Sequence, residues 1–260
     1  MCSPEYFGVT YDINPWMSAN IGLVDHAKAL QQWSNLHNAL TNVAMVEILP
    51  GVIALPDLVF TANAGIVRQN TAIVSKFNLS ERQPEEKHFE KWFTDQKYDV
   101  FILNNPYEGE GDHLVDKWGR HWLGTGFRSS KESSNELNEI LLVHINTLEL
   151  TDPRWYHLDT CFCPLPNGEL MWYPQAFSIA SQYLIKHSFD KRIEVSEEDA
   201  LSFACNAVCI GRDIFLPNNE SVSTALMGCG YKTHEFDLSE FMKAGGAAKC
   251  LVLDLGVVYC

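Results

Sequence analysis

The sequence predicts an α/β fold, because short apolar strands alternate with helical segments along its 260 residues. These helix-and-strand units recur at a spacing of roughly 50 residues, within the range of propellers and solenoids. No long linker or low-complexity stretch divides the chain, and 46% of its residues are hydrophobic. We therefore expect residues 1–260 to form a single domain with a substantial core.

Two helices and several short strands are predicted in the first half of the chain. Residues 25–42 carry apolar side chains at helical spacing. Residues 84–97 begin at a proline and have two glutamates in the first turn, which suits the helix dipole. Apolar runs between polar or glycine turns predict strands at 58–60, 64–67, 72–75 and 98–103.

The same alternation continues in the second half. A capping pattern at residues 196–199 favours a helix start there. The predicted helices are 129–140, 176–186, 196–204 and 219–228. The predicted strands are 121–127, 141–148, 155–163, 169–173, 207–216, 231–236 and the apolar run after Cys250.

Composition narrows the classes of function. A formal net charge of −14 argues against nucleic acid and anionic membranes as partners, and leaves a small cationic ligand open. The first residues lack a signal-peptide pattern and no apolar run approaches the roughly 20 residues that span a bilayer, so we expect a soluble, cytoplasmic protein.

The eight cysteines are too sparse for a disulfide scaffold. The local pairs Cys161/Cys163 and Cys205/Cys209 lack complete ligand spacing, so no metal site is expected. Dinucleotide-binding, Walker and GxSxG motifs are also missing from the sequence.

Cys250 is the candidate nucleophile. It ends the string Gly245-Gly246-Ala247-Ala248-Lys249-Cys250, whose small side chains let a ligand approach the backbone. Lys249 is expected to favour the thiolate, and the apolar run behind Cys250 would place the thiol at the mouth of a strand. A lone cysteine is more often a buried core residue, so partners have to support this hypothesis.

Polar residues gather at the predicted strand ends. Asp57 and Asn63 stand at the two ends of one short strand, and His157 and Asp159 share one face of another. The loop at 107–112 packs three carboxylates among two glycines. Each feature alone is typical of a capped turn or a surface loop.

Together these groups indicate one chemistry. A thiol nucleophile needs a proton shuttle, and a histidine provides one near neutral pH. Carboxylates pair with a planar guanidinium, while an arginine such as Arg128 holds a carboxylate. The combination predicts a zwitterionic substrate with a cationic head.

Four segments carry a family resemblance: residues 11–17 (YDINPWM), 56–65 (PDLVFTANAG), 156–165 (YHLDTCFCPL) and 245–250 (GGAAKC). With them, nearly the whole chain resembles the guanidino-group-modifying, or pentein, superfamily of arginine deiminases, dimethylarginine dimethylaminohydrolases and amidinotransferases. The strongest likeness is to the cyanobacterial-type arginine dihydrolase domain. The resemblance implies a five-bladed α/β propeller with pseudo-fivefold symmetry and a central active site.

The resemblance also implies residue roles. Cys250 matches the nucleophile and His157 the general acid and base, while Glu108 and Asp159 match carboxylates that hold the guanidinium. Asn63 stands where deiminases usually carry an aspartate. The positions that match residues holding the amino-acid end of the substrate are Asn14, Asp57, Arg82 and Arg128. Glu110 interrupts the Glu-Gly-Gly-Asp pattern of related enzymes, which leaves the placement of Asp112 open.

The activity implied by the resemblance is hydrolysis of arginine to ornithine, ammonia and carbon dioxide. One alternative is a deiminase or dimethylarginine hydrolase that stops at citrulline. An alternative of another class is a non-catalytic arginine-binding protein. The expected partner is arginine or a methylated arginine, no cofactor is implied, and a homo-oligomer is left open.

Overall fold

The computed structural model describes residues 1–256, and its first long element is helix α1 (His26–Leu40). The Asp25 side chain accepts a hydrogen bond from the backbone N–H of Lys28, which satisfies a donor of the first helical turn. The segments before and after this helix pair in parallel at Cys2 and Leu49.

Four units of one topology follow. In each, two antiparallel strands are followed by a helix and then by a third strand that pairs in parallel with the second. The first unit comprises β1 (Gly65–Arg68), β2 (Thr71–Val74), α2 (Gln83–Asp95) and β3 (Asp99–Ile102). After the one-turn helix α3 (Gly109–Asp112), the second comprises β4 (His113–Val115), β5 (His121–Thr125), α4 (Ser133–Leu141) and β6 (Ile145–Glu149). The third comprises β7 (Phe162–Pro164), β8 (Leu170–Trp172), α5 (Ile179–Ser188) and β9 (Arg192–Glu194). After α6 (Glu197–Leu201), the fourth comprises β10 (Val208–Ile210), β11 (Asp213–Pro217), α7 (Glu220–Gly228) and β12 (Lys232–Phe236), and α8 (Ser239–Met242) follows it.

The amino-terminal segment repeats part of this unit. Cys2 and Leu49 pair in parallel on either side of α1, as the second and third strands do on either side of the helix in each sheet. The α/β class is therefore confirmed, and four full units with a reduced fifth agree with the expected five-bladed propeller. The first strands of the full units also start roughly 50 residues apart, as the sequence predicted.

Two predicted strands are wrong. The runs at 58–60 and 155–163 fold mainly as 3₁₀ helices: Pro56–Val59, Thr61–Ala64, Pro153–Trp155 and Leu158–Thr160. A proline opens two of these helices, where its fixed φ favours a helical turn and its missing N–H costs nothing. Of the second run, Phe162 and Cys163 lie in a strand. Asp57 and Asn63 are therefore not at the two ends of a strand, and His157 and Asp159 do not share a strand face.

Three further differences are local. The predicted acidic loop contains the one-turn helix α3, and the predicted strand at 207–216 is a hairpin that turns at Gly211 with φ of 58°. The strand expected after Cys250 is wrong for residues 251–256, which form no strand. Residues 257 and 258 of that prediction lie outside the described residues.

The largest hydrophobic cluster joins the third unit to its neighbours and contains the fully buried Trp122, Trp155 and Trp172. A second cluster packs α1 against Phe60, Phe241 and Cys250, so the predicted nucleophile is part of the hydrophobic core. Within residues 1–256, no helix has the length and apolar character needed to cross a bilayer.

Candidate active site

Five chain segments, each following the last strand of a unit, meet around a narrow cavity. These segments carry Asp57, Glu108, His157, Asn206 and Cys250, which recur at intervals of roughly 50 residues. Of the five, Asp57, His157 and Cys250 line the cavity. The cavity is lined by Asp57, Asn63, Arg82, Arg128, His157 and Cys250 together with Asn14, Tyr156 and the glycines at 245 and 246. A more open groove of about 730 Å³ shares Arg128 with it and is lined by several serines and threonines together with Lys131 and Glu149. The titratable groups predicted from the sequence line the narrow cavity or adjoin it.

Cys250 is buried and its sulfur makes hydrogen bonds to two side chains. Sγ donates a hydrogen bond to Asp159 Oδ2 at 3.2 Å, and Asn206 Nδ2 donates to Sγ at 3.1 Å. Burial and the adjacent Asp159 carboxylate raise the pKa of Cys250 well above its ordinary value. The resting group is therefore a thiol.

Lys249, which was expected to favour the thiolate, is paired with a carboxylate. Its Nζ atom donates to Glu110 Oε2 at 2.8 Å and to the carbonyl of Val252 at 3.0 Å. Glu110 Oε2 also accepts from the backbone N–H of Asp254 at 3.0 Å. The inserted Glu110 thus neutralises a half-buried lysine and connects the segment after Cys250 to α3.

Asp112, whose placement the sequence left open, joins three parts of the site. Its Oδ1 accepts from the backbone N–H of Leu158 and its Oδ2 from that of Ser129, both at 3.1 Å. Both oxygens are thereby used to position the segments that carry His157 and Arg128. Asp112 does not line the cavity.

Glu108 lies between His157 and Arg128. His157 Nε2 donates to Glu108 Oε2 at 2.7 Å, and Arg128 Nη1 donates to the same oxygen at 3.3 Å. Burial alone would raise the pKa of Glu108, but Arg128 and the His157 hydrogen bond outweigh it and lower the pKa to about 2. Glu108 is therefore a fixed negative charge.

Three buried carboxylate oxygens have no hydrogen-bond partner among residues 1–256: Asp57 Oδ1, Glu108 Oε1 and Asp159 Oδ1. A buried acceptor without a donor costs roughly 1–3 kcal/mol. Burial raises the pKa of Asp159 to about 7, and it also raises that of Asp57. These three oxygens therefore lack hydrogen-bond donors, and a guanidinium or ammonium ligand would bring them both N–H groups and positive charge.

Asn63 is locked in one orientation. Its Oδ1 accepts from Arg82 Nη1 at 2.8 Å, and its Nδ2 donates to the carbonyl of Glu108 at 3.2 Å. Gly111 leaves room for the amide, since a Cβ there would lie 2.1 Å from Asn63 Nδ2. One N–H of the amide is left for a ligand.

The groups expected at the amino-acid end differ in their freedom. Arg128 uses two of its five N–H groups, on Glu108 and on the carbonyl of Ile13, and stacks on Tyr156. Arg82 is bound bidentately by the buried Glu85 at 2.9 and 2.7 Å and also donates to Asn63. Arg128 is consequently the better placed of the two to hold a ligand carboxylate.

Asn14 is occupied by the protein itself. Its Nδ2 donates to Tyr156 Oη at 3.2 Å and to the carbonyl of Ala244 at 3.0 Å, while its Oδ1 accepts from the N–H of Trp16. Tyr156 Oη in turn donates to the carbonyl of Gly245 at 3.0 Å. Asn14 therefore fixes the glycine loop before Cys250 and has no amide N–H left for a ligand.

Sequence reasoning missed Glu85, Tyr156 and Asn206. The interval between Asp57, Glu108, His157 and Cys250 leaves a gap of one unit near residue 206, so the repeat held the signal for Asn206. No such pattern marks Glu85, which reads as an ordinary acidic residue in the first turn of a helix.

Comparison with known proteins gives the following relatives. No family model matches the chain. The chain is 44% identical, over 97% of its length, to the bifunctional arginine dihydrolase/ornithine cyclodeaminase AgrE of Nostoc, but spans 37% of that protein. It is 35% identical, over 98% of its length and 84% of the relative's, to the N(G),N(G)-dimethylarginine dimethylaminohydrolase of Mycobacterium tuberculosis. Its structure is also similar to that of the N-terminal domain of ArgZ, an arginine dihydrolase from cyanobacteria, which was solved with bound substrate as a cysteine-to-serine mutant. The TM-score is 0.96 at 42% identity, and the match covers 98% of this chain and 96% of that one.

Proposed function

Since the chain belongs to the guanidino-group-modifying, or pentein, superfamily, we propose that it hydrolyses the guanidinium group of arginine through a covalent intermediate on Cys250. The observation that carries the proposal is the set of unpartnered buried oxygens on Asp57, Glu108 and Asp159 around a cysteine thiol. A guanidinium supplies five N–H donors and a positive charge to such a set. The relatives named for arginine dihydrolase and dimethylarginine hydrolysis support the same substrate class.

In the first step the substrate is held at both ends. Glu108 Oε1 and Asp159 Oδ1 accept hydrogen bonds from the guanidinium, and the free N–H groups of Arg128 hold the substrate carboxylate. The thiol proton passes to Asp159 Oδ2, which already accepts it at 3.2 Å. The positive charge of the bound guanidinium favours this ionisation of Cys250.

In the second step Sγ bonds to the central guanidinium carbon. His157, oriented by Glu108, donates a proton to the departing nitrogen, so that ammonia leaves and an amidino-thioether remains on Cys250. His157 then takes a proton from water, hydroxide adds to the carbon, and the carbon–sulfur bond breaks. The product of this first round is citrulline.

We propose that a second round follows and that the final product is ornithine. Cys250 attacks the ureido carbon, a second ammonia leaves, and water releases a carbamate that separates into carbon dioxide and ornithine. Asn63 supports this extension, because Arg82 occupies its oxygen and leaves an N–H to face the ligand. An N–H can donate to the carbonyl oxygen of a neutral ureido group, whereas an aspartate at this position could not.

Product analysis tests the proposal. The wild-type protein is incubated with arginine, and ornithine, citrulline and ammonia are quantified separately. Two ammonia for each ornithine are expected, with no turnover by Cys250→Ala. Citrulline with one ammonia would favour the deiminase alternative. Turnover of dimethylarginine instead of arginine would favour the dimethylarginine hydrolase activity for which the Mycobacterium relative is named. Arginine binding without ammonia release would favour the non-catalytic alternative.

The product choice has its own test at Asn63. We expect Asn63→Asp to shift the product from ornithine towards citrulline, because the carboxylate would pair with Arg82 and lose the donated hydrogen bond. Asn218→Asp is the charge-matched control, since Asn218 is exposed. An unchanged ornithine yield in Asn63→Asp would contradict the role given to the amide.

Three further expectations stay predictions. They are that residues 1–260 form one catalytic domain, that the protein is cytoplasmic, and that it forms a homo-oligomer, which light scattering can check. Because the chain spans 37% of AgrE, the ornithine cyclodeaminase activity in that protein's name is not proposed for this chain.

A further inference from the structure

Asn206 occupies the one place in the fivefold arrangement to which neither sequence nor resemblance assigns a role. It lies between α6 and β10, is fully buried, and follows His157 by roughly one repeat. Its position in the fourth unit corresponds to those of Asp57, Glu108 and His157 in their units. The other four segments all bring a polar group to the cavity or to the groups that line it, and this segment brings an amide to the sulfur.

The amide of Asn206 makes four hydrogen bonds. Its Oδ1 accepts from the backbone N–H groups of Ala247 at 3.1 Å and Cys250 at 3.2 Å. Its Nδ2 donates to the carbonyl of Asp159 at 3.1 Å and to Cys250 Sγ at 3.1 Å. The backbone carbonyl of Asn206 also accepts from the N–H of Lys249 at 3.2 Å.

This pattern fixes which way the amide faces. Two backbone N–H groups can be satisfied only by an oxygen, so the nitrogen must face the carbonyl of Asp159 and the sulfur of Cys250. The sulfur therefore lies between an acceptor on Asp159 and a donor on Asn206. When the thiol proton leaves towards Asp159, the Asn206 N–H stays in place and its hydrogen bond becomes charge-assisted.

We propose that Asn206 is a positioning residue that holds the Cys250 segment in its reactive geometry and stabilises the negative charge on sulfur through Nδ2. The catalytic value of this role rests on the proposed function, whereas its effect on the ionisation of the Cys250 thiol can be measured without turnover. Lys249 cannot take this role, since its charge is bound to Glu110. Asn206 Nδ2 is the side-chain donor to Sγ, and the backbone N–H of Ala247, which also lowers the pKa of Cys250, is itself held by Asn206 Oδ1 at 3.1 Å.

Asn206→Asp separates the two parts of the role. The carboxylate keeps an oxygen in the place of Oδ1, so it still accepts from the two backbone N–H groups, but it replaces the nitrogen that donates to sulfur with a negative oxygen. The pH profile of alkylation of Cys250 by iodoacetamide is measured without arginine, by mass spectrometry of the peptide that contains it. We expect the profile to move to higher pH and the rate at pH 8 to fall at least tenfold, because one pKa unit changes the thiolate fraction by that factor. Asn218→Asp, exposed and in the same unit, is the matched control and should leave the profile unchanged.

The outcomes distinguish this inference from the proposed function. A shifted profile in Asn206→Asp, together with no turnover of arginine by the wild-type protein, supports the inference and overturns the function. Normal arginine turnover with an unshifted profile in folded Asn206→Asp overturns the inference alone. If that variant does not fold, Asn206→Ala, which adds no charge, is measured in the same way, and an unchanged rate overturns the inference.

The wild-type protein gives a further readout by NMR. The signal of one asparagine side-chain amide should shift when Cys250 is alkylated, and unchanged signals from all asparagine side chains would contradict the contact.

Discussion

Replacing Glu108 with glutamine should reduce kcat/KM for arginine by about 10- to 150-fold. Glu108 Oε1 has no partner among residues 1–256, and Oε2 already binds His157 and Arg128. Glutamine preserves the size but removes the negative charge that the guanidinium would meet. A hydrogen bond between charged groups contributes about 1.5–3 kcal/mol, which corresponds to this range of fold-change.

The same substitution should weaken the fold in a pH-dependent way. The pKa of Glu108 is lowered from 4.5 to about 2, a shift that corresponds to about 3 kcal/mol of stability from its charged form. Because the folded pKa lies below the unfolded one, this stability is present above pH 4.5 and is lost as the pH falls through about 2. Glu108→Gln also leaves the buried Arg128 without its counter-charge.

Steady-state kinetics and urea unfolding of the same preparations measure both effects. Glu139→Gln is the control, since Glu139 is exposed on α4 and should leave both quantities unchanged. A folded Glu108→Gln protein with kcat/KM within twofold of wild type would refute the assignment of Oε1 to the substrate. A stability difference that stayed constant between pH 7 and pH 3 would refute the electrostatic argument.

Two further substitutions test neighbouring groups. Arg128→Lys should raise KM for arginine by about tenfold and lower kcat much less, because an ammonium cannot pair bidentately with the substrate carboxylate. An equal loss in kcat would contradict this assignment. Arg212→Lys is the control, since Arg212 is exposed. Asp159→Asn should have a free energy of unfolding about 1–3 kcal/mol higher than wild type at pH 8, measured by urea unfolding. The reason is that burial raises the pKa of this carboxyl to about 7, so its charged form destabilises the folded state. Below the unfolded pKa of 3.8 both states of the wild type are protonated, so the advantage should vanish by about pH 4, and an advantage independent of pH would contradict the argument.

The repeat and most of the elements were predictable from the sequence, because they follow from local patterns. Helices α1, α2 and α7 lie within a few residues of their predictions, since amphipathic spacing and caps mark them. The segments that carry the site were predicted poorly. Around Asp57 and His157 an apolar run suggested strands, but the chain makes consecutive 3₁₀ turns that direct polar side chains to the centre.

The site residues were predictable as a set, and their arrangement was not. Cys250, His157, Glu108, Asp159 and Asn63 do assemble, as the motifs implied. The environment of the thiol depends on contacts between residues far apart in the chain, which no local pattern shows. Lys249 is adjacent to Cys250 in sequence, yet its charge is neutralised by Glu110, and the side-chain donor to sulfur comes from Asn206, 44 residues away.

Rapid acid quenching during turnover of guanidino-¹³C-arginine, followed by mass spectrometry of the peptides, tests the central claim most directly. The account predicts an adduct carrying the labelled carbon on the peptide that contains Cys250, transient in wild type and absent from Cys250→Ala. The seven other cysteines serve as internal controls and should remain unlabelled. Production of ammonia from arginine with no label on Cys250 at any quench time, or turnover retained by Cys250→Ala, would contradict covalent catalysis at this residue.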